Sequence, residues 1–297
     1  MTLAAALAAA RERLLLADIL PTEAALDVDL FARTILGWDR ARLLTSLTGP
    51  VPPGLEPRFS EWLARRERRE PSAYIVGARE FWGLDFLVTP AVLIPRPETE
   101  FVVEEAVPLI RNMFRPGAAD SRAPGGPAPR IADVGTGSGC IAVALAHELP
   151  DCRVVATDVS GEALPVARQN AARHGVAGRV RFVQTAYLDG IAGTFDLIAA
   201  NPPYVRSIDK RGLSAEVRHE PDAALFGGAN GLAHLDAVVE AAAQRLHRDG
   251  WLVMEFGFGQ EDDVRGLVAQ RPALRVDHVR EDLQGLARTA IIQNVRR

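Results

Sequence analysis

The chain has 297 residues, 34 of them basic and 38 acidic, for a net charge of −4; 48% are apolar and 24% charged. These values belong to globular proteins and exclude disordered and fibrous chains, and the length corresponds to about two domains of roughly 100–200 residues each. The mild acidity argues against a non-specific nucleic-acid binder, which needs many cationic phosphate contacts.

Two cysteines, Cys140 and Cys152, form no C-x-x-C pair, and no His/Cys cluster has zinc spacing. A disulfide scaffold and a metal site are therefore not expected; two reduced thiols in or near a core are. The opening MTLAAALAAARERLLLADIL superficially resembles a secretion signal. However, Arg11 and Arg13 follow the alanine run instead of preceding it, and the apolar pattern continues past them, so an amphipathic helix is expected. No apolar run reaches the roughly 18 residues of a membrane span, which makes a cytoplasmic location the expectation.

Residues 1 to about 70 read as helices. Thr22 after Pro21 marks one start and Gly37 its stop, and Asp39 can cap a short helix through Leu47. GPVPPG (49–54) is a turn. Phe59, Trp62 and Leu63 share a helix face that runs into RRERRE, a charge run expected to be a solvated face. From residue 73 the pattern changes: AYIV, EFWG and DFLVT are β-type runs, with a hairpin turning at Gly83–Leu84–Asp85. After IPRPETE (94–100) a helix carries Phe101, Val102, Ala106 and Ile110 at helical spacing. PGAADSRAPGGPAP (116–129) reads as a mobile loop. Beyond it, RIADV, RVVATD, RVRFVQ, FDLIAAN, WLVMEF, LRVDHV and RTAIIQ alternate with helical stretches near 139–148, 160–174, 233–248 and 259–270. This is the pattern of an α/β sheet covered on both faces, its last strand turning back antiparallel.

Two motifs stand at strand ends. In Asp133-Val134-Gly135-Thr136-Gly137-Ser138-Gly139 a glycine loop follows a strand and opens a helix, and Asp158 ends the next strand 19 residues beyond Gly139. Glycines allow a tight turn and close ligand approach, the helix start offers free N–H groups, and an acid about 20 residues on suits a ribose diol. The ligand is a nucleoside, either NAD or S-adenosylmethionine; the G-x-G-x-G spacing lacks the pyrophosphate cradle and tilts the choice away from NAD. Asp133 suits a methionyl amine, or equally orders the loop. The plainer alternatives are a structural turn and a helix-capping Asp158.

The second motif is Asn201-Pro202-Pro203-Tyr204 after FDLIAA. The prolines hold Asn201 and Pro202 extended and stiff. The asparagine oxygen and the Pro202 carbonyl are two acceptors able to orient one NH₂ group, and Tyr204 offers a flat face for a planar substrate. A proline-rich turn is the plainer alternative. The combination resembles the S-adenosylmethionine-dependent amino-methyltransferases.

Three further segments, PSAYIVGAREFWGLDF (71–86), VLIPRPETE (92–100) and RHEPDAALFGGANGL (218–232), resemble the release-factor glutamine methyltransferase family (HemK/PrmC type), as do MEFGFGQ (254–260) and DLQGLARTAII (282–292). The resemblance implies an α/β fold with a seven-stranded Rossmann-like class I methyltransferase domain (91–297), preceded by a small all-helical substrate-docking domain (1–72) and a β-hairpin linker (73–90). It implies methyl transfer from S-adenosyl-L-methionine, giving S-adenosyl-L-homocysteine, to the side-chain amide nitrogen of the glutamine in the Gly-Gly-Gln motif of class-one peptide chain release factors. Carried onto this chain, the cofactor meets Asp133, Gly135, Thr136, Gly137, Ser138, Gly139, Asp158, Tyr187 and Asn201. Asn201, Pro202, Pro203 and Tyr204 hold the glutamine, and Asn201, Pro202 and Tyr204 carry the catalysis. Arg96 and Glu98 are substrate-binding candidates; His219 and Glu220, in the long loop 205–232, are weaker ones. One departure is Ala186, where the family often has an acid; Asp189 is a shifted substitute. A monomer with no metal, no membrane contact and no direct nucleic-acid contact is expected. The rivals are an adenine or guanine amino-methyltransferase of DNA or RNA, a silent nucleoside-binding module, and an NAD dehydrogenase.

Overall fold

The computed structural model describes residues 1–115 and 128–296. Most of the expected 116–129 loop lies outside the described residues. The chain divides into two compact units, one of residues 1–78 with 214–219, the other of residues 79–213 with 220–297.

The first unit is helical: α1 (Leu3–Leu16), α2 (Pro21–Leu36), α3 (Arg40–Thr45), α4 (Arg58–Glu67) and α5 (Ser72–Val76). Thr2 caps α1 by accepting from the Ala5 N–H, and Asp39 caps α3 by accepting from the Arg42 N–H. Helix α2 begins at Pro21, one residue before the expected start, because a proline in the first turn loses no helical hydrogen bond. It ends at Gly37 with φ of 63°. The Ala-rich α1 buries Leu3, Leu7, Ala10 and Leu14, as an amphipathic helix does. Phe31 and Trp62 pack edge to face in this core at 5.4 Å. Each fully buried side chain of this size contributes about 1.5–3 kcal/mol.

Two expectations fail in this unit. AYIV is not a strand but the short helix α5, which starts after Pro71 and stops at Gly77 in the left-handed region. Four apolar residues are too few for periodicity to separate strand from helix. The charge run is not a solvated face either. Arg66 is 3% exposed. Its Nε donates to Asp27 Oδ2 at 2.6 Å, Nη1 to Glu216 Oε1 at 2.9 Å and Nη2 to Glu23 Oε2 at 3.5 Å. Arg69 donates to both Glu216 oxygens, at 2.6 and 3.1 Å. Burial alone raises the Glu216 carboxyl, but hydrogen bonds from Arg69 and Arg66 hold it down at about 2. These carboxylates come from distant parts of the chain, so local composition does not reveal them.

A hairpin of β1 (Ala78–Phe81) and β2 (Leu84–Leu87) starts at the last residue of the first unit's opening segment and otherwise belongs to the second unit. Its turn is Trp82–Gly83, with φ of 56° and 69°, tighter than the expected Gly83–Leu84–Asp85. Two positive φ values match the right-handed twist of paired strands in a two-residue turn. Helix α6 (Glu100–Met113) follows a single 3-10 turn at Pro97–Thr99. Then come β3 (Arg130–Val134), α7 (Cys140–Glu148), β4 (Arg153–Asp158), α8 (Ala163–Arg173), β5 (Val180–Gln184), β6 (Phe195–Ala200), α9 (Asp222–Leu225), α10 (Ala233–Arg245), β7 (Leu246–Glu255), α11 (Glu261–Ala269), β8 (Leu274–Glu281) and β9 (Ala287–Asn294).

All seven expected runs pair into one sheet, in the order β5-β4-β3-β6-β7-β9-β8. The strands are parallel through β7, and β9 runs antiparallel to both β7 and β8. Alternation along the strands supplies two cores. Ile131, Leu197 and Val253 pack with α6 and α7 on one face, Ala132, Ile198 and Leu252 with α10 and α11 on the other. The strand order reverses between β3 and β6, and in open α/β sheets that switch point opens a crevice at the carboxyl ends of the strands. Both sequence motifs stand there. Among the described residues no helix is long and apolar enough to cross a membrane, and no group of His, Cys, Asp and Glu could hold a metal ion.

Candidate active site

The crevice is a cavity of about 380 Å³, within the range typical of small-molecule sites. Its lining includes Gly135, Thr136, Gly137, Ser138, Asp158, Tyr187, Asn201, Pro202, Pro203 and Arg96. Gly139, Asp133, Glu98 and Tyr204 stand outside that lining.

Between β3 and α7 the loop needs its glycines. Gly135, Gly137 and Gly139 have φ of 74°, 53° and 82°, where side-chain-bearing residues are strained. A Cβ on Gly135 or Gly137 meets no protein atom within 4 Å, so the backbone there lies bare toward the cavity. A Cβ on Gly139 comes within 3.1 Å of the Ala167 Cβ, so this glycine lets α7 approach α8. The Gly135 and Thr136 N–H groups donate to the Thr157 carbonyl. Asn170, fully buried on α8, donates to the Ser138 carbonyl and pairs with the Leu87 backbone through both ends of its amide. The loop is thus held in shape by its neighbours.

The two acids of this motif have different tasks. Asp158 Oδ2 accepts from Gly137 N at 2.8 Å and Oδ1 from Ser160 N at 2.8 Å, and the residue lines the cavity. Ser160 Oγ accepts from the N–H of Ala163, the first residue of α8. Asp133 is fully buried beneath the loop. Its Oδ2 accepts from Thr136 Oγ1 at 2.6 Å and from Ala142 N at 3.1 Å, so it orders the loop, the second of its two expected roles. Its Oδ1 has no hydrogen-bond partner among the described residues. Burial pushes this carboxyl up to about 7. Burial likewise pushes the Cys140 thiol up to about 12, so no thiolate forms.

Val159, Ala163, Thr185, Ala186 and Tyr187 add a mostly apolar stretch to the cavity lining. Tyr187 has φ of 48°, its carbonyl accepts from Thr157 Oγ1, and its hydroxyl meets His234 Nδ1 at 2.9 Å. Ala186 lines the cavity and Asp189 does not. A bare glycine backbone at a helix start, an acid with free lone pairs and an apolar wall fit the loop, ribose and base of S-adenosylmethionine.

Strand β6 is buried along its whole length and delivers Asn201 to the cavity. Asn201 Nδ2 donates to Thr99 Oγ1 at 2.9 Å. Thr99 Oγ1 donates to Glu255 Oε2 at 2.6 Å, and the Tyr204 hydroxyl donates to Glu255 Oε1 at 2.9 Å. Glu255 ends β7, one residue past Met254, which pairs with Ala200. Burial raises its carboxyl, against the two hydroxyl donors. The Glu255 charge, together with burial, raises the Tyr204 phenol well above its usual value, so the phenol keeps its proton and donates. Tyr204 is therefore tethered through its hydroxyl to Glu255 and stands outside the cavity lining.

Arg96 does line the cavity, and its Nη2 donates to Glu220 Oε1, while Glu220 Oε2 accepts from Ile94 N at 3.0 Å. Glu220, 5% exposed, thus pins the IPRP segment. His219 belongs to the helical unit. Sequence reading gave no site role to Glu255, Asn170, His234 or Thr99. A lone acid within the apolar run WLVMEF was the available signal for Glu255; the others carry none.

A family model described as Methyltransferase small domain matches residues 122–220, and one described as PrmC N-terminal domain matches residues 5–77. The release factor glutamine methyltransferase of Bradyrhizobium diazoefficiens is 42% identical over 90% of this chain and 86% of its own. That of Bordetella pertussis is 40% identical over 92% of this chain and 96% of its own. The hMettl16 catalytic domain shares the fold, with a TM-score of 0.56 at 16% identity over 85% of each chain. Identities of this size over nearly the full length of both partners show that the chain belongs to the release factor glutamine methyltransferase family.

Proposed function

We propose that this protein transfers a methyl group from S-adenosyl-L-methionine to the side-chain amide nitrogen of the glutamine in the Gly-Gly-Gln motif of class-one release factors. The observation that carries the reading is Asn201, stiffened by Pro202 and Pro203, at the switch point of the sheet with its NH₂ end spent on Thr99. Its oxygen is left for a ligand. When bound, S-adenosylmethionine supplies an electrophilic methyl and leaves as S-adenosylhomocysteine.

An amide nitrogen is a weak nucleophile because its lone pair is delocalised into the carbonyl. Asn201 Oδ1 and the Pro202 carbonyl accept its two N–H bonds and aim the lone pair at the methyl; once the N–CH₃ bond has formed, the cationic nitrogen would lose one proton to give the neutral N-methyl amide. Positioning of this kind supplies up to roughly 7–11 kcal/mol of a barrier. Asp158 and the bare Gly135–Gly137 backbone hold the nucleoside. Asp133 keeps that loop in shape. Arg96, oriented by Glu220, stands at the substrate side with Glu98 next to it in the same turn. We read residues 1–72 as the docking domain for the protein substrate, 73–90 as a hairpin linker and 91–297 as the methyltransferase domain. The enzyme acts as a cytoplasmic monomer without a nucleic-acid contact of its own, a reading supported by the net charge of −4.

The test is incubation with S-adenosylmethionine and either a release factor or a mixed nucleic-acid pool, read by mass spectrometry. One added methyl on the Gly-Gly-Gln glutamine is the expected result. A mark on nucleic acid and none on the factor overturns the substrate and leaves the amino-methyltransferase reading. Asn201→Ala should lower kcat by about 100-fold or more while cofactor affinity stays within about threefold; equal losses in both refute its role.

A further inference from the structure

An asparagine side chain has two ends of nearly equal shape and opposite chemistry. One is an acceptor oxygen, the other a two-proton donor. To hold a substrate NH₂ group, Asn201 must show its oxygen. Turned over, it would set donors against donors. The stiff Asn201–Pro203 backbone does not decide between the two, because rotation about the last side-chain bond is broad and two-fold. The choice has to come from what the other end of the amide touches.

We propose that Thr99 and Glu255 are positioning residues that lock Asn201 with its oxygen toward the substrate. The inference rests on the function proposed above. Thr99 carries one hydroxyl proton and gives it to Glu255 Oε2 at 2.6 Å. Its remaining lone pairs are all it can offer Asn201, which must answer with Nδ2–H, at 2.9 Å. Ionised, Glu255 accepts from Thr99 on one oxygen and from the Tyr204 hydroxyl on the other, and has no proton to return to Thr99. Thr99 is 2% and Glu255 1% exposed, which keeps water from taking either place. The three groups arrive from separate elements: Thr99 from the turn before α6, Glu255 from the end of β7 and Asn201 from the end of β6. The polarity of the catalytic amide is therefore set by Thr99, beside Asn201 in the cavity lining, and sourced at a buried carboxylate outside that lining.

The experiment uses the full-length protein, a release factor and S-adenosylmethionine. Thr99→Val keeps the shape and removes the acceptor. We expect kcat to fall about 10- to 100-fold, with cofactor affinity by calorimetry within about twofold of the parent. Thr99→Ser restores the hydroxyl and should return kcat to within about threefold. In an Asn201→Ala background, Thr99→Val should change kcat by less than about twofold, because Thr99 acts only through the amide. A purely structural role for Thr99 predicts the same proportional loss in both backgrounds, and that result overturns the inference. So does a Thr99→Val enzyme with unchanged kcat. If Thr99→Val does not bind cofactor, Thr99→Ala carries the same expectations. A parent that methylates the factor while Thr99→Val is unaffected defeats this inference alone; a parent without turnover on the factor defeats the proposed function and this inference with it.

Discussion

Replacing Arg66 by Met tests the ion cluster of the helical unit. Arg66 touches Asp27, Glu216 and Glu23, and its side chain is 4% exposed. Methionine fills a similar volume but removes the charge. Glu216 keeps Arg69, and Glu23 is half exposed and turns to water. Asp27, with a side chain 10% exposed, loses its guanidinium. The cost is thus that of one stranded buried carboxylate, about 3–5 kcal/mol. That is a large part of the roughly 5–15 kcal/mol that stabilises a typical domain. The assay is amide hydrogen exchange in α2 and α4, which reads opening of this unit without assuming that the whole chain unfolds in one step. Replacing Arg66 and Asp27 together by Met and Leu should recover most of the loss, since a buried pair exchanged for apolar side chains is often neutral. A single-variant loss below about 1 kcal/mol would put the cluster on a par with exposed ion pairs and refute the argument.

Gly139→Ala combines a left-handed backbone, costing roughly 1–2 kcal/mol, with a Cβ driven to 3.1 Å from Ala167. Urea unfolding should show a loss of about 2–4 kcal/mol, and a loss under about 1 kcal/mol would mean that the loop relaxes freely. Asp158→Ala removes acceptors from the Gly137 and Ser160 N–H groups and, on the proposed reading, from the ribose. Calorimetry should find cofactor binding weakened by about 10- to 100-fold, and unchanged affinity removes Asp158 from the site. Asp133 has its folded value raised to about 7 by burial, so its contribution is fully present below the ordinary carboxylate range and is lost as pH rises through about 7. Relative to Asp133→Asn, the parent should lose about 1.4 kcal/mol per pH unit between about pH 4 and 7 and level off above; a flat difference refutes the assignment. Glu216 runs the other way. Held at about 2, it stabilises above about pH 4.5, and that stability is lost as pH falls toward 2; an acid transition unchanged in Glu216→Gln would show that the carboxylate contributes nothing.

Much of this protein is legible in its sequence because the relevant forces are local. Seven apolar runs separated by helical stretches define a covered α/β sheet, since a strand buried on both faces must be apolar throughout, as β6 is. Glycines after β3 and prolines after β6 mark the two motifs, because backbone freedom and backbone stiffness are properties of single residues. The errors also have local causes. AYIV is too short to show a period, and Trp82–Gly83 forms a tighter turn than composition suggests.

What only the tertiary structure decided are the partners of buried polar groups. RRERRE looks solvated because its carboxylates lie 39 and 150 residues away from Arg66. Asp133 is legible as an acid at the loop entrance, but its bonds to Thr136 and Ala142, which order the loop, are visible only in the fold. Asn201 is legible as a ligand-facing amide, but which of its ends faces the ligand depends on Thr99 and Glu255, 102 residues before it and 54 after. Hydrogen bonds between side chains depend on distance in space, and sequence spacing carries no trace of them once they span separate elements. The site's residue types are thus written in the chain, while the direction of its protons is a property of the folded sheet.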